Sequence, residues 1–382
     1  MGFLDPERLR IGEHGTPPDL APLRELARRM REERDRMLGF PFNLDFDYRP
    51  LAEFLAVHGN NVGSPRTDSH YRIDTRPFEV AVLDFFTGVA GGDPAHVSGY
   101  VTTGGTESNL FAVWVARERH PDAVLYASAE AHYSLPKIGG LLRMPYVEVA
   151  TADDGTMDTT ALLRELVRHP GRAAVVTATI GTTGRGAVDD LPGIRRALAA
   201  AGVERSRVHC DAAFGGLLAE FGDEAIPWNL ASGADSVALS GHKVIGAPMP
   251  CGVVLAPEAD VAGIRSAGVA VGADDDTVTG SRDAVSPLLL WHRLHGLGRE
   301  GVAELVRRCH RTAAHAQREL ASIGRNPSRA RGGTIVLFDA PAEEVCRRWH
   351  LACNERHAAL VVMPHVTEQH VDRLCDELRK AG

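Results

Sequence analysis

Ser236-Val237-Ala238-Leu239-Ser240-Gly241-His242-Lys243 decides how the rest of the chain is read. Its apolar start is short enough for a buried strand and too short for a helix. Lysine at the end of such a strand is costly unless it is paired, neutralised or used. Covalent use of the amine removes the charge and explains the position. Runs of the same kind recur at 98–103, 123–126, 146–149, 173–179, 207–210 and 252–255. Between them lie segments of helical period, among them 108–119, 160–169 and 191–201. Strand and helix alternating in this way define an α/β protein, with a mainly parallel sheet flanked by helices on both faces.

Outside that alternation the chain changes character twice. Residues 19–38 form a charged helical stretch, followed by Phe40-Pro41-Phe42 and a short helix over 50–57. Its arginines, Arg24 to Arg36, are interleaved with Glu25, Glu32, Glu33 and Asp35, which marks a solvated or subunit-facing helix. After Pro287 a long helix over 288–323 leads to a strand (334–338), a helix (342–353), a strand (359–363) and a helix (368–380). This order predicts an N-terminal helical arm (1–58), a large domain (59–286) and a small C-terminal α+β domain (287–382). The Gly/Asp-rich piece 267–276 has little to bury and reads as a mobile loop.

Composition narrows the function classes. The 382 residues are 44% hydrophobic and 24% charged, with a net charge of −8. That balance leaves no electrostatic footprint for nucleic acid. No run approaches the roughly 18 apolar residues of a membrane span, and residues 1–10 lack the apolar centre of a signal peptide. The six cysteines show neither metal-binding nor disulfide-framework spacing, so a cytoplasmic protein with reduced thiols and no metal is expected.

Four strand ends carry the chemistry. Thr103-Gly104-Gly105-Thr106-Glu107-Ser108-Asn109 follows a strand and opens a helix, where backbone N–H groups and the helix dipole favour an anion. Many strand-to-helix turns have this composition without a ligand. His132 follows the next strand, placed either to stack on a flat ring or to cap a helix. Asp211 ends a further strand, where open α/β sheets bind ligands, although an N-cap aspartate is the common alternative. Lys243 is the fourth, with Ser240 and His242 beside it. Together they describe a site for pyridoxal 5′-phosphate. Gly104, Gly105 and Thr106 form a phosphate cup, and His132 is a stacking residue. Asp211 pairs with the ring nitrogen over the small Ala213, and Lys243 forms the Schiff base. His242 contacts the phosphate or shuttles a proton. The intervals, 26 residues from Thr106 to His132, then 79 to Asp211 and 32 to Lys243, resemble the aspartate-aminotransferase-like fold (fold type I). Thr182 and Thr183, after an intervening strand, fall where that fold adds contacts to the ring, and Thr182 is taken as the cofactor-binding one.

Several segments resemble the group II pyridoxal-dependent amino-acid decarboxylases, in the branch of bacterial histidine and plant-type serine decarboxylases. They are 99–107, 126–134, 181–190, 209–211, 240–243, 248–252, 279–282, 347–353 and 361–364. The resemblance covers nearly the whole chain. It implies a homodimer with the active site at the subunit interface, loss of the α-carboxylate of an L-amino acid (histidine, serine or a related polar one) as carbon dioxide, and a substrate role for Asn61. Lys243, His132 and His242 are the catalytic candidates. Four positions depart from the family pattern. Ala270 stands near where the family carries a loop tyrosine, which this loop lacks, and Asp283-Ala284-Val285 stands where Asn-Gly-His is usual. Ala359 replaces a histidine, and Ser108 a glycine. Those departures keep a second outcome open, a relative with altered chemistry at the α-carbon: aldehyde formation, aldol-type chemistry or elimination.

Overall fold

The structure is a computed structural model that describes residues 6–15, 17–268 and 272–380. Its N-terminal part holds α1 (Ala21–Arg34), a 3-10 helix (Arg49–Leu55), β1 (Asn60–Val62) and α2 (Arg76–Val89). The alternation predicted from sequence follows: β2 (Val97–Thr102), α3 (Gly105–Arg119), β3 (Val124–Ser128), α4 (Ser134–Leu141), β4 (Tyr146–Val149) and α5 (Thr159–Val167). It continues with β5 (Ala174–Thr179), α6 (Leu191–Ala200), β6 (Ser206–Asp211), α7 (Gly216–Phe221), β7 (Ser236–Ser240) and β8 (Gly252–Pro257).

These strands form one seven-stranded sheet in the order β2-β8-β7-β6-β5-β3-β4. Only β8 runs against its neighbours; the other pairings are parallel. Helices cover both faces, so the central strands are apolar without alternation, and every residue of β5 is buried. The carboxyl ends of the parallel strands therefore meet along one edge, where such sheets bind ligands.

Beyond β8 come α8 (Glu258–Val261), the antiparallel pair β9 (Ser266–Gly268) and β10 (Ala273–Asp275), β11 (Ser281–Asp283), and α9 (Val285–Ser322). Gly298, at φ 61°, interrupts the helical backbone of α9. A second, antiparallel sheet of β12 (Ser328–Arg329), β13 (Ile335–Asp339), β14 (Ala352–Cys353) and β15 (His357–Val361) follows. It carries α10 (Glu343–Arg348) and α11 (Glu368–Lys380). No helix among the described residues is long and apolar enough to cross a membrane.

Three expectations are corrected. The segment expected to form a helix over 342–353 is helical only to Arg348. Ala352 and Cys353 instead pair with Ala359 and Ala358 at the sheet edge, gaining ladder hydrogen bonds. The thiols are not all reduced, since Cys346 and Cys353 form a disulfide tying α10 to β14; Cys210, Cys251, Cys309 and Cys375 are free and buried. The stretch 267–276 is not simply a loop, because β9 and β10 pair through Asp275 and Ser266 to Ala273 and Gly268. Backbone pairing orders these two strands where apolar burial does not. Ala270 lies outside the described residues.

Candidate active site

α3 begins where β2 ends, and Gly104 makes the turn at φ 142° and ψ 178°, a conformation open to glycine. Glu107 closes the turn: its Oε2 accepts hydrogen bonds from Thr103 N–H at 2.8 Å and Thr103 Oγ1 at 2.6 Å. The carboxylate also complements the positive end of the helix. A side chain at Gly105 would press on Ala213 Cβ at 3.3 Å and Ser240 Oγ at 3.5 Å, so glycine keeps the cavity open there. Ser108, the departure from the family's glycine, is fully buried; it hydrogen-bonds Thr102 Oγ1 at 2.7 Å and stabilises the turn.

Gly104, Gly105, Thr106, His132, Asp211, Ala213, Ser240, His242 and Lys243 all line one cavity of about 260 Å³ at the sheet's carboxyl edge. Asn109, Tyr133, Phe214 and Pro250 line it too. Lys243 sits in a π-helical turn after β7, half-buried, with Nζ 5.9 Å from the Phe214 ring centre. Burial pushes its pKa below that of an ordinary lysine, and the charge of Asp211 partly offsets the effect. The amine is therefore more easily neutral, as a nucleophile must be.

The two histidines are held through one ring nitrogen each. His132 Nδ1 accepts from Ser134 Oγ at 2.8 Å and from Ser134 N–H at 3.3 Å, which leaves Nε2–H for the cavity. His132 thus holds the first N–H of α4 and lines the cavity as well. His242 Nδ1 is fixed against the Cys251 peptide, 2.9 Å from its oxygen and 3.2 Å from its nitrogen. Burial lowers the pKa of both imidazoles.

Two sequence-derived residues lie elsewhere. Thr182 is fully buried, and its hydroxyl accepts the Ala187 N–H at 3.1 Å; its neighbour Thr183 lines the cavity instead. Asn61, also fully buried, donates to Glu79 Oε2 at 2.9 Å and accepts from Thr75 N–H at 2.8 Å. Glu79 in turn pairs with Arg282. Asn61 lines neither this cavity nor the neighbouring one in the protomer. The altered Asp283 caps α9, accepting from Val285 N–H at 2.7 Å and Ser286 N–H at 3.0 Å.

A second cavity of about 610 Å³ opens from the first and shares His132, Thr183, Phe214 and Lys243 with it. One wall is the face of the C-terminal sheet: Ile335, Leu337, Ala359 and Val361. Phe40 and Pro41 close another side, and Glu130, Arg185 and His357 bring polar groups. Sequence reading missed this compartment, apart from noting Ala359 as an altered position. It missed Asn109 too, although Gly105 and Asn109 share a helix face by their spacing of four.

The residues present fit pyridoxal phosphate. The cavity joins a helix N-terminus to a carboxylate and a half-buried lysine, and Thr179 Oγ1 and Ser240 Oγ are buried in its wall without a partner among the described residues. Fold and site define a pyridoxal-phosphate enzyme of fold type I. An L-methionine decarboxylase from Streptomyces sp. 590 shares this fold at a TM-score of 0.90 and 24% identity, covering 99% of this chain and 98% of that one. The pyridoxal-dependent decarboxylase conserved domain matches residues 86–327, and the chain belongs to that family. It is 38% identical to a histidine decarboxylase of Mesorhizobium japonicum over 95% of its length and 98% of the relative's. It is 37% identical to serine decarboxylase 1 of rice, Oryza sativa subsp. japonica, over 94% of its length and 75% of the relative's. The chain is a pyridoxal-phosphate-dependent amino-acid decarboxylase, which decides between the two outcomes left open by sequence.

Proposed function

We propose that the enzyme decarboxylates L-histidine, or an L-amino acid of similar size carrying a side-chain hydrogen-bond donor, to the amine and carbon dioxide. The observation that carries this reading is the second cavity. It continues from Lys243, is larger than serine's hydroxymethyl group requires, and combines an apolar sheet face with the Glu130 carboxylate. An imidazole packs its ring on Leu337, Ala359 and Val361 and offers an N–H to Glu130. The similarity to rice serine decarboxylase favours serine as the second reading.

Pyridoxal phosphate, when bound, supplies an electron sink for the bond between the α-carbon and the carboxylate. Gly104, Gly105 and Thr106 would hold its phosphate at the start of α3, with Ser240 and His242 alongside. Asp211 would hold the ring nitrogen over Ala213, with His132 on the opposite face, and Lys243 would carry the cofactor. Of the two adjacent threonines, Thr183, which lines the cavity, would make the ring contact in place of the buried Thr182. Phe214 and the apolar sheet exclude water from the departing carboxylate. His132, whose Nε2 is left free by the Ser134 contacts, would pass a proton from solvent to the α-carbon and be reprotonated in turn.

The assembly is a homodimer with the site at its interface. Large apolar side chains stand exposed on the N-terminal part, among them Leu23, Met30, Phe42, Leu55, Val57 and Ile73, while α1 buries only Pro22. Such a concentration asks for a partner surface. Phe40 and Pro41 of the same segment line the second cavity, which ties assembly to the site. Within each subunit, 1–58 is the arm, 59–286 the large domain and 287–382 the small one, with Asn61 in the network behind the site. The enzyme works in the cytoplasm, where Cys346–Cys353 is a reducible pair; thiol counting on protein quenched in cells tests this.

Product analysis decides the reaction. Protein loaded with cofactor is incubated with histidine, serine and other L-amino acids, with and without oxygen, and amine and carbon dioxide are quantified. Histamine in equal amount to carbon dioxide without oxygen supports the proposal. Ethanolamine as main product establishes the serine reading. Turnover of neither overturns both.

A further inference from the structure

Asp211 does not stand alone at the end of β6. Its Oδ2 accepts a hydrogen bond from the Asn109 side-chain amide at 2.8 Å, Asn109 Oδ1 lies 3.0 Å from His209 Nε2, and His209 Nδ1 lies 2.9 Å from Ser236 Oγ. The fold explains the alignment. His209 and Asp211 are two apart on β6 and project to the same face. Ser236 is the pairing partner of His209 on β7, and Asn109 descends from α3 onto that face. All four side chains are buried.

The polarity of this chain follows from its last member. A carboxylate only accepts, so the Asn109 amide nitrogen turns to Asp211 and its oxygen to His209. That oxygen also only accepts, which puts the imidazole proton on Nε2. Burial holds the His209 pKa well below the usual value, so Nδ1 is bare and accepts from the Ser236 hydroxyl. The other Asp211 oxygen accepts the Ala213 N–H at 3.2 Å, and Asp211 lines the cavity.

We propose that Ser236, His209 and Asn109 form a one-way hydrogen-bond relay that sets the proton affinity of Asp211 and, through it, the protonation of the cofactor's ring nitrogen. The relay rests on the pairing of Asp211 with that nitrogen. Each bond polarises the next in a site shielded from water. The last one, to a carboxylate, is of the stronger charge-assisted kind. Removing it raises the proton affinity of Asp211 and draws the shared proton off the ring, which weakens the electron sink. Asn109 and His209 act here as positioning residues.

The test uses the absorbance of the chromophore that pyridoxal phosphate forms with Lys243, titrated with pH, in the wild type and in Asn109→Ala, Ser236→Ala and Asp211→Asn. Turnover is measured with pyridoxal phosphate and with its 1-deaza analogue, whose ring carries carbon in place of nitrogen. Asn109→Ala is expected to raise the chromophore's midpoint by about one pH unit and to lower kcat about tenfold at unchanged KM. With the analogue its further loss disappears. Ser236→Ala, a milder change that keeps the buried amide, shifts the midpoint the same way and less. An unmoved midpoint in both relay variants, or an equal kcat loss with the analogue, overturns the relay. A normal midpoint in Asp211→Asn overturns the pairing itself, and the relay with it.

Discussion

The two cavities that meet at Lys243 are built in opposite ways. The cofactor cavity is cut into the carboxyl edge of a parallel sheet, and its side chains are pinned by short hydrogen bonds: Asp211 by Asn109, His132 by Ser134, His242 by Cys251. The second cavity is assembled from distant segments, 40–41, 130, 183–185 and 328–361, and its floor is apolar. A rigid polar site suits one invariable ligand and one reaction. An apolar wall made of separate pieces can change its occupant by changing a few residues, as Ala359 illustrates.

Four substitutions probe that contrast. Lys243→Ala removes the group at the junction and is expected to lower kcat roughly 10⁴-fold or more. Loss of the protein-bound chromophore accompanies it, and retained full turnover would break the assignment of the first cavity. His132→Phe keeps a flat ring but removes Nε2–H, so kcat falls about 100-fold while cofactor absorbance persists. Glu130→Gln touches only the second cavity: KM for histidine rises about tenfold, with kcat and chromophore little changed. An equal effect on kcat would show that the two cavities do not divide cofactor from substrate. Cys353→Ser opens the small bridge at the rim of the second cavity, costs about 2 kcal/mol in thermal unfolding, and changes KM less than threefold. A loss of chromophore in this variant would couple the walls more tightly than their construction implies.

How much of each cavity could be read from sequence follows the same division. The first is encoded in contiguous motifs, since a strand end, a glycine and a polar residue fall together in 103–109, 209–213 and 240–243. Even there the side chain's direction was not encoded. Thr182 and Thr183 are adjacent threonines, and only the tight turn closed by Ala187 N–H sends Thr182 inward and leaves Thr183 at the cavity. Asn61 is polar and close in sequence to the site's N-terminal wall, yet Glu79 and Thr75 occupy it. The second cavity had no motif, because Ile335, Leu337 and Val361 alternate along strands as any half-covered strand residues do.

By itself the sequence determined the α/β alternation, the family and the cofactor, because apolar periodicity and strand-end motifs are local properties of the chain. Tertiary structure alone decided the disulfide, the hydrogen-bond chain behind Asp211 and the shape of the second cavity. Each of these joins residues whose proximity depends on strand order and register, so no stretch of chain carries the information before the sheets assemble.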